Sequence, residues 1–240
     1  MKLKEIYEYL DKISPFETAE PWDNCGLQVG SFDEEIERIC LTLDVDEALI
    51  KNLEPKTLII AHHPLIFKGL SSFNLNLYPS NLIAKMVKKE ISLVAMHTNA
   101  DKSHLNRYVC EEVLGFEVKS QEDFIITFNF DGTLKEIAQI IKDRFKMKTL
   151  RVSDAGVKIE KVALTTGSGG DLIGKIDAQL FLTGDLKYHQ AFEAISNKIS
   201  LIDIGHYESE RFFPEALLKD LKKLPLKVIM SNSKNPFNYI

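Results

Sequence analysis

The sequence predicts an α/β fold built from two packed α/β units whose sheets are mostly parallel or mixed. Three runs are apolar almost without interruption, at 39–45, 57–63 and 91–98, which is typical of strands buried on both faces. Between the last two runs, apolar side chains recur at helical spacing over 80–90, with Ser80 as the expected N-cap. Strand, helix and strand in this order indicate a βαβ connection and therefore a parallel sheet.

The N-terminal segment predicts an amphipathic helix and not a signal peptide. Its apolar residues recur at helical spacing with charged residues between them: Leu3, Ile6, Tyr7, Leu10 and Ile13. No apolar run in the sequence approaches the length of a membrane-spanning helix. We therefore expect no membrane partner.

The second half of the chain continues the alternation of strands and helices. After a strand over 122–130 we expect a turn at Asp131 and Gly132, and then a helix over 133–145. The further expected elements are strands over 148–152, 162–166, 178–184, 200–205 and 226–230, and helices over 189–195 and 209–224.

The length and composition suit two units of moderate size. The chain has 240 residues, of which 45% are hydrophobic, and this is ample for buried cores. We expect the first unit to combine 1–123 with 207–240, and the second unit to span 124–206.

The charge and the cysteines restrict the partners and the compartment. The 30 basic residues are fewer than the 35 acidic ones, and the formal net charge is −5, so a nucleic-acid partner is disfavoured. Cys25, Cys40 and Cys110 are odd in number and form no CxxC pair, which suits reduced thiols. We expect a cytoplasmic protein.

Side chains that ligate metals gather at the ends of predicted strands. Four of the six histidines lie there: His62, His63, His97 and His206. Asp101 and Glu210 each follow a histidine by four residues, so that each pair faces the same way in a helical turn. A lone histidine at a strand end is more often a hydrogen-bonded structural residue, but this combination favours a metal site.

Six motifs, in order along nearly the whole chain, resemble the Nif-three-like proteins, which are also labelled GTP cyclohydrolase 1 type 2 homologues. They are PWDNCGLQVG (21–30), AHHPLIF (61–67), HTNAD (97–101), GSGGD (167–171), TGDLKYHQAF (183–192) and DIGHYESE (203–210). The chain resembles the short form, without the domain that longer members carry between the halves.

The resemblance implies a Nif-three-like fold with a dinuclear metal centre between its two units. The implied ligands are His62, His63, Asp101, His206 and Glu210, with His97 beside them. It also implies a homohexameric ring whose metal sites face an interior cavity.

The implied ligand set limits the choice of metal. Three imidazoles and two carboxylates suit two divalent ions, with zinc or iron favoured over manganese or nickel. So few ligands for two ions leave coordination positions for water or a small-molecule substrate, and such a centre suits hydrolysis.

The glycine-rich motif allows two interpretations. Gly167, Ser168, Gly169 and Gly170 follow a predicted strand, so their backbone N–H groups are candidates for binding a phosphate. A tight turn between strand and helix explains the same glycines equally well.

Two further motifs supply candidates for finer roles. Asp185 and His189 lie just past a strand end, where a general acid or base would act, although Asp185 also suits a helix cap. Trp22 lies in a loop that would wall the cavity or stack on a purine, but packing is the commoner role of a lone tryptophan. Cys25 has no base beside it in the sequence and is not a candidate nucleophile.

Three functions of different classes are consistent with these residues. The first is a metal-dependent hydrolase, with GTP ring opening as the activity that the family label suggests. The second is a non-catalytic protein that holds or delivers metal, and the third is a protein-interaction or regulatory scaffold. No P-loop or Rossmann fingerprint adds independent support for nucleotide binding.

Overall fold

The computed structural model describes residues 1–231 and 233–238, and it divides into two compact units. The first unit combines 1–103 with 213–236, and the second combines 104–212 with the described residues after 236. Each unit contains a sheet with helices, so the predicted α/β class with mixed sheets is confirmed.

The strands, in chain order, are β1 Gly26–Val29, β2 Arg38–Thr42, β3 Thr57–Ala61, β4 Ile91–Ala95, β5 Ser120–Glu122, β6 Ile125–Gly132, β7 Arg151–Ser153, β8 Ile159–Leu164, β9 Leu180–Thr183, β10 Ser200–Asp203 and β11 Lys227–Met230.

The helices are α1 Leu3–Ile13, α2 Glu47–Asn52, α3 Ser80–Lys88, α4 Leu134–Phe145, α5 Tyr188–Ser196, α6 His206–Glu210 and α7 Phe213–Leu221. Short 3-10 segments cover Phe16–Thr18 and Gly170–Lys175. A helical segment of alternating α and π turns runs through Thr98–Ala100, Asp101–Leu105, Asn106–Tyr108 and Val109–Leu114. No helix among the described residues is both long and apolar enough to cross a membrane.

In the first unit, the described strands pair in the order β1-β4-β3-β2-β11. The pairs β4–β3, β3–β2 and β2–β11 are parallel, and only the pairing of β1 with β4 is antiparallel. Every residue of β3 and β4 is buried, as their continuous apolar sequences predict. The core between this sheet and its helices includes Cys40, Ile50, Ile59, Leu82, Met86 and Leu93.

In the second unit, the described strands pair in the order β5-β6-β8-β9-β10-β7. The central pairs β8–β9 and β9–β10 are parallel, whereas β5–β6, β6–β8 and β10–β7 are antiparallel. The core includes Ala163, Ile173, Phe181, Leu186, Ala194 and Leu201.

Two helix ends explain where the expected boundaries shift. The turn expected at Asp131 and Gly132 is wrong, because β6 continues to Gly132 and Thr133 caps α4 directly by accepting a hydrogen bond from the Glu136 N–H. The long helix expected over 209–224 is divided into α6 and α7. Ser80 is the first residue of α3, and its N-cap is Pro79.

Residues 104–123 group with the second sheet, which differs from the expected boundary after 123. Strand β5 pairs with β6, and the Asn106 side chain donates to the Phe124 carbonyl at 3.1 Å and accepts from the Thr166 N–H at 2.7 Å. Residues 207–212 also belong to the second unit, where Arg211 donates to the Phe145 carbonyl at 3.1 Å.

Candidate metal centre

His62 and His63 follow the last residue of β3, at the carboxyl end of the parallel strands. Their backbone N–H groups donate to the carbonyls of Thr42 and Leu43, both at 3.1 Å, and this continues the pairing of β3 with β2. His62 is fully buried, and its ring lies 4.8 Å from the ring of Phe213 on α7. The strand therefore fixes the backbone from which both imidazoles project.

Oxygen acceptors fix the ring orientation of both histidines. Nδ1 of His62 lies 3.0 Å from the Met96 carbonyl oxygen, and Nδ1 of His63 lies 2.7 Å from Oδ1 of Asp44. Because these oxygens only accept, each Nδ1 carries a hydrogen, and a neutral ring in this tautomer has its lone pair on Nε2. An imidazole held in this way is prepared to bind a metal through Nε2.

His97 is held in the same manner by Asp23. Its Nδ1 lies 3.0 Å from Oδ1 of Asp23, whose carboxylate also accepts from the Thr98 N–H at 3.1 Å and from the Cys25 thiol at 3.1 Å. Burial alone would raise the pKa of Asp23, but the hydrogen bonds from His97 and Thr98 outweigh it and hold this pKa well below its usual range. Asp23 is therefore a charged acceptor that orients His97.

These three imidazoles form a compact donor group within the first unit. One ring nitrogen each from His62, His63 and His97 lie within 4.8 Å of one another. Oδ1 of Asp101 lies 3.5 Å from Nε2 of His62. Three imidazoles with a neighbouring carboxylate fit the ligand preferences of a transition-metal ion such as zinc or iron.

The second unit presents His206 and Glu210 together on α6. Nε2 of His206 lies 2.9 Å from Oε2 of Glu210, and Nδ1 lies 2.7 Å from Oδ2 of Asp185. The Glu210 side chain is only 4% exposed. The hydrogen bond to Glu210 outweighs the effect of burial and, with Asp185, raises the pKa of His206 to about 9. Without a bound cation, His206 is therefore protonated on both ring nitrogens at neutral pH. A metal ion bound to Nε2 would replace the proton on that nitrogen.

The glycine-rich motif lies against this pair. Gly167 has φ of +65°, and a Cβ at this position would overlap Oε1 of Glu210. Its N–H donates to the Ser209 hydroxyl at 3.0 Å, and the Gly169 N–H donates to the Thr183 hydroxyl at 2.8 Å. Both N–H groups therefore donate to side chains of the protein itself. This favours the interpretation of the motif as a tight turn over its interpretation as a phosphate-binding loop. Ser168 is exposed and Gly170 is buried.

The two candidates for acid or base catalysis occupy different environments. The Asp185 carboxylate contacts His206. Asp185 has a backbone φ of +55°, and its side chain is 56% exposed. His189 lies in the first turn of α5, where it is exposed and its ring lies 5.3 Å from that of Tyr188. Asp185 thus contacts His206, one of the predicted metal ligands. His189 instead contacts Tyr188, its neighbour in the sequence.

Sequence reasoning missed the roles of Asp44 and Asp23. Asp44 follows β2 by two residues, and its carboxylate orients His63. Asp23 belongs to a quoted motif but lies 74 residues from His97 in sequence. For Asp44, the one indication in the sequence was its position near the end of a predicted strand. Nothing in the sequence spacing shows that its partner is His63.

Comparison with known proteins agrees with this architecture. A family model described as Duf34/NIF3 (NGG1p interacting factor 3) matches residues 1–236. The chain belongs to the Duf34/NIF3 family. The resemblance found in the sequence motifs is therefore confirmed.

Relatives of this Duf34/NIF3 protein are similar over their whole length. A GTP cyclohydrolase 1 type 2 homolog of Campylobacter jejuni is 52% identical over 240 residues, which cover 100% of both chains. A Helicobacter pylori protein named GTP cyclohydrolase 1 type 2 is 36% identical over 244 residues, with 99% of each chain covered. The crystal structure of a Staphylococcus aureus hypothetical protein matches with a TM-score of 0.88 and 28% identity, covering 100% of this chain and 99% of that one.

Proposed function

We propose that this Duf34/NIF3 protein holds two divalent metal ions and uses them for hydrolysis. The proposed ligands are His62, His63 and Asp101 from the first unit, and His206 and Glu210 from the second. His97 stands beside the ligands of the first unit.

The main support for the proposal is that all four imidazoles form the same kind of hydrogen bond. In every case Nδ1 meets an oxygen acceptor: the Met96 carbonyl or the carboxylates of Asp44, Asp23 and Asp185. Histidines that bind metals characteristically donate their other ring N–H to a carboxylate or a carbonyl. One histidine held in this way is ordinary, but four of them at strand ends together favour a metal centre over four separate structural roles.

The charges of the two donor groups give separate support. Asp101 in the first unit and Glu210 in the second are both buried, and each lies close to Nε2 of a histidine. Burying a carboxylate is unfavourable unless a cation or several donors compensate its charge. A divalent cation compensates this charge and accepts the Nε2 lone pair as well.

Different residues of the chain would have different roles in such a centre. Divalent ions, when bound, supply Lewis acidity to a hydrolytic reaction. Asp44, Asp23 and Asp185 keep the proton on Nδ1 of their histidines, so that Nε2 stays directed to the ligand side. His189, exposed at the start of α5, is the proposed group for proton exchange with solvent.

The metal and the substrate class follow from the donor set and from the relatives. Imidazole with carboxylate suits zinc or iron, with manganese and nickel as weaker candidates. The name of the Helicobacter pylori relative points to GTP, so GTP is the first substrate to assay. We also propose a homohexameric assembly, as the family resemblance implies, and a cytoplasmic location, which suits three cysteines without disulfide bonds.

The experiment combines metal analysis with turnover. The purified protein is analysed by mass spectrometry for bound metal, and is then assayed with GTP, phosphoesters and small amides. Glu210→Gln should lose metal while the fold survives, because the substitution keeps the volume but removes a charged donor. Glu208→Gln, which removes the same charge from the same helix, is the matched control and should retain metal.

The outcomes separate the candidate functions. Bound metal with turnover of any substrate supports the hydrolase. Bound metal without turnover favours a protein that holds or delivers metal. Absence of metal from the wild-type protein after reconstitution with zinc and iron overturns the proposal.

A further inference from the structure

Two aromatic side chains of the first unit are exposed beside the imidazole group. Trp22, the single tryptophan of the chain, is 59% exposed, and Phe67 is 43% exposed. Large aromatic side chains are normally buried by folding, because their apolar surface is costly to leave in water. The alternative that Trp22 serves core packing is therefore not supported.

Both rings adjoin His97. The ring centroids of Trp22 and Phe67 lie 6.1 Å apart, with an angle of 55° between their planes. The His97 ring lies 6.3 Å from Trp22 and 6.4 Å from Phe67. The three rings form a triangle with nearly equal sides, and His97 at its corner belongs to the group that also includes His62 and His63.

Hydrogen bonds hold the two aromatic loops together. The Asn24 side chain donates to the Ile66 carbonyl at 2.5 Å, and the Ile66 N–H donates to the Gln28 side chain at 2.8 Å. The Gln28 amide also donates to the Asn24 carbonyl at 2.7 Å. These hydrogen bonds fix the backbone at Ile66, next to Phe67, and at Asn24, two residues after Trp22.

The backbone on the other side of Trp22 is held as well. The Asp23 N–H donates to the Glu20 carbonyl at 2.9 Å, and the Asp23 carboxylate holds both His97 and Thr98. One residue therefore orients the imidazole and fixes the loop that carries the indole. An ordered, exposed aromatic pair next to polar groups that converge is the usual composition of a small-molecule site.

We propose that Trp22 and Phe67 form a stacking site for a planar aromatic or heteroaromatic ring, borne by a ligand whose polar head group is held at the imidazole group. The inference rests on the proposed metal centre for binding of the head group and adds the chemical class of the remaining part. A flat ring covers the exposed indole face, whereas a puckered ring of similar size does not match it.

The test compares two ligands with the same metal-binding head. Benzohydroxamate and cyclohexanecarbohydroxamate share the hydroxamate head and a six-membered ring, which is flat and aromatic in the first and puckered in the second. Binding to the metal-loaded wild-type protein is measured by calorimetry and by the fluorescence of Trp22, which reports on this site alone because the chain has one tryptophan. We expect the aromatic ligand to quench the fluorescence and to bind about 2-fold to 12-fold more tightly, the ratio that corresponds to an aromatic pair.

Three variants locate the effect. Trp22→Ala should abolish the preference for the aromatic ligand in calorimetry without loss of metal, and Trp22→Phe should largely retain it. Phe192→Ala removes an aromatic side chain of similar exposure, 56%, from helix α5 and should leave the preference unchanged.

The outcomes distinguish this inference from the metal centre on which it rests. If both hydroxamates bind equally and Trp22→Ala changes neither affinity, the stacking site is refuted while the metal centre stands. If neither binds to protein whose metal content has been measured, the stacking site is refuted while the metal centre stands, and if the protein takes up no metal at all, the metal centre itself is refuted. If Trp22→Ala dissociates the protein into smaller species and leaves the ligand preference intact, the exposed rings are a subunit contact and the inference is overturned.

Discussion

Replacing Gly167 by alanine should displace Glu210 from its position beside His206. Gly167 has φ of +65°, and a Cβ there would overlap Oε1 of Glu210. Because the Gly167 N–H is bound to Ser209 and its carbonyl accepts from the Gly184 N–H at 2.7 Å, the loop cannot retreat without losing both hydrogen bonds. The Glu210 side chain must therefore move.

Gly156 provides a matched control for the cost of placing alanine in the left-handed backbone conformation. It has φ of +68°, and a Cβ there would meet nothing within 4 Å. Gly156→Ala should lower the free energy of unfolding by about 1–2 kcal/mol, the cost of the left-handed conformation for an L-residue. Gly167→Ala has the same cost and about 1–3 kcal/mol more, because the displaced, buried Glu210 carboxylate loses its hydrogen bond to His206.

The assay measures thermal unfolding and metal content of both variants. Each kcal/mol should lower the melting temperature by about 2–4 °C for a chain of this size. We expect Gly156→Ala to retain its metal and Gly167→Ala to lose it in large part. Equal stabilities together with full metal content in Gly167→Ala would refute the idea that this glycine makes room for the carboxylate.

Three further predictions concern the ligands and the assembly. Asp44→Asn should weaken metal binding about 10-fold to 100-fold in competition titrations, because His63 loses its charged acceptor, and an unchanged affinity would exclude this role. In metal-free protein, the pair of His206 with Glu210 should stabilise the fold fully below about pH 6.5 and lose this effect as the pH rises through about 9, because the pKa of His206 is raised. Glu210→Gln should weaken this dependence in thermal unfolding and lower the His206 pKa in NMR titrations, while the contact with Asp185 keeps the remainder of the effect; a pKa that stays near 9 in this variant would contradict the assignment. Light scattering should give the mass of a hexamer, and a monomer mass would contradict the assembly that the resemblance implies.

The elements with the strongest sequence patterns were predictable because one physical effect dominates each. The apolar runs at 39–45, 57–63 and 91–98 coincide with most of β2 and all of β3 and β4, since strands buried on both faces favour such short continuous apolar sequences. The expected proximity of His206 and Glu210 is confirmed by their contact at 2.9 Å, because the spacing i, i+4 determines it locally.

Other features depended on interactions that no local pattern shows. Strand β1 has two half-buried residues in its centre, and its short sequence lacks a continuous apolar run. The Asp131-Gly132 dipeptide is a strong turn signal, yet β6 extends through both residues, and the capping box of Thr133 and Glu136 begins α4 directly after them.

The orientation of the imidazoles was the least accessible part of the site. Whether a histidine presents Nε2 or Nδ1 depends on the acceptor of its other nitrogen, and for His97 this is Asp23, which is distant in sequence. The position of the Trp22 loop was equally inaccessible, because Asn24 and Gln28 form hydrogen bonds with a loop about 40 residues away.

The central claim concerns the position and number of the metal ions, and anomalous X-ray diffraction from crystals of the metal-loaded protein tests it directly. The account predicts two anomalous peaks per chain, with His62, His63, Asp101, His206 and Glu210 as the protein ligands. A single peak, or peaks bound by other residues, would contradict the dinuclear centre proposed here.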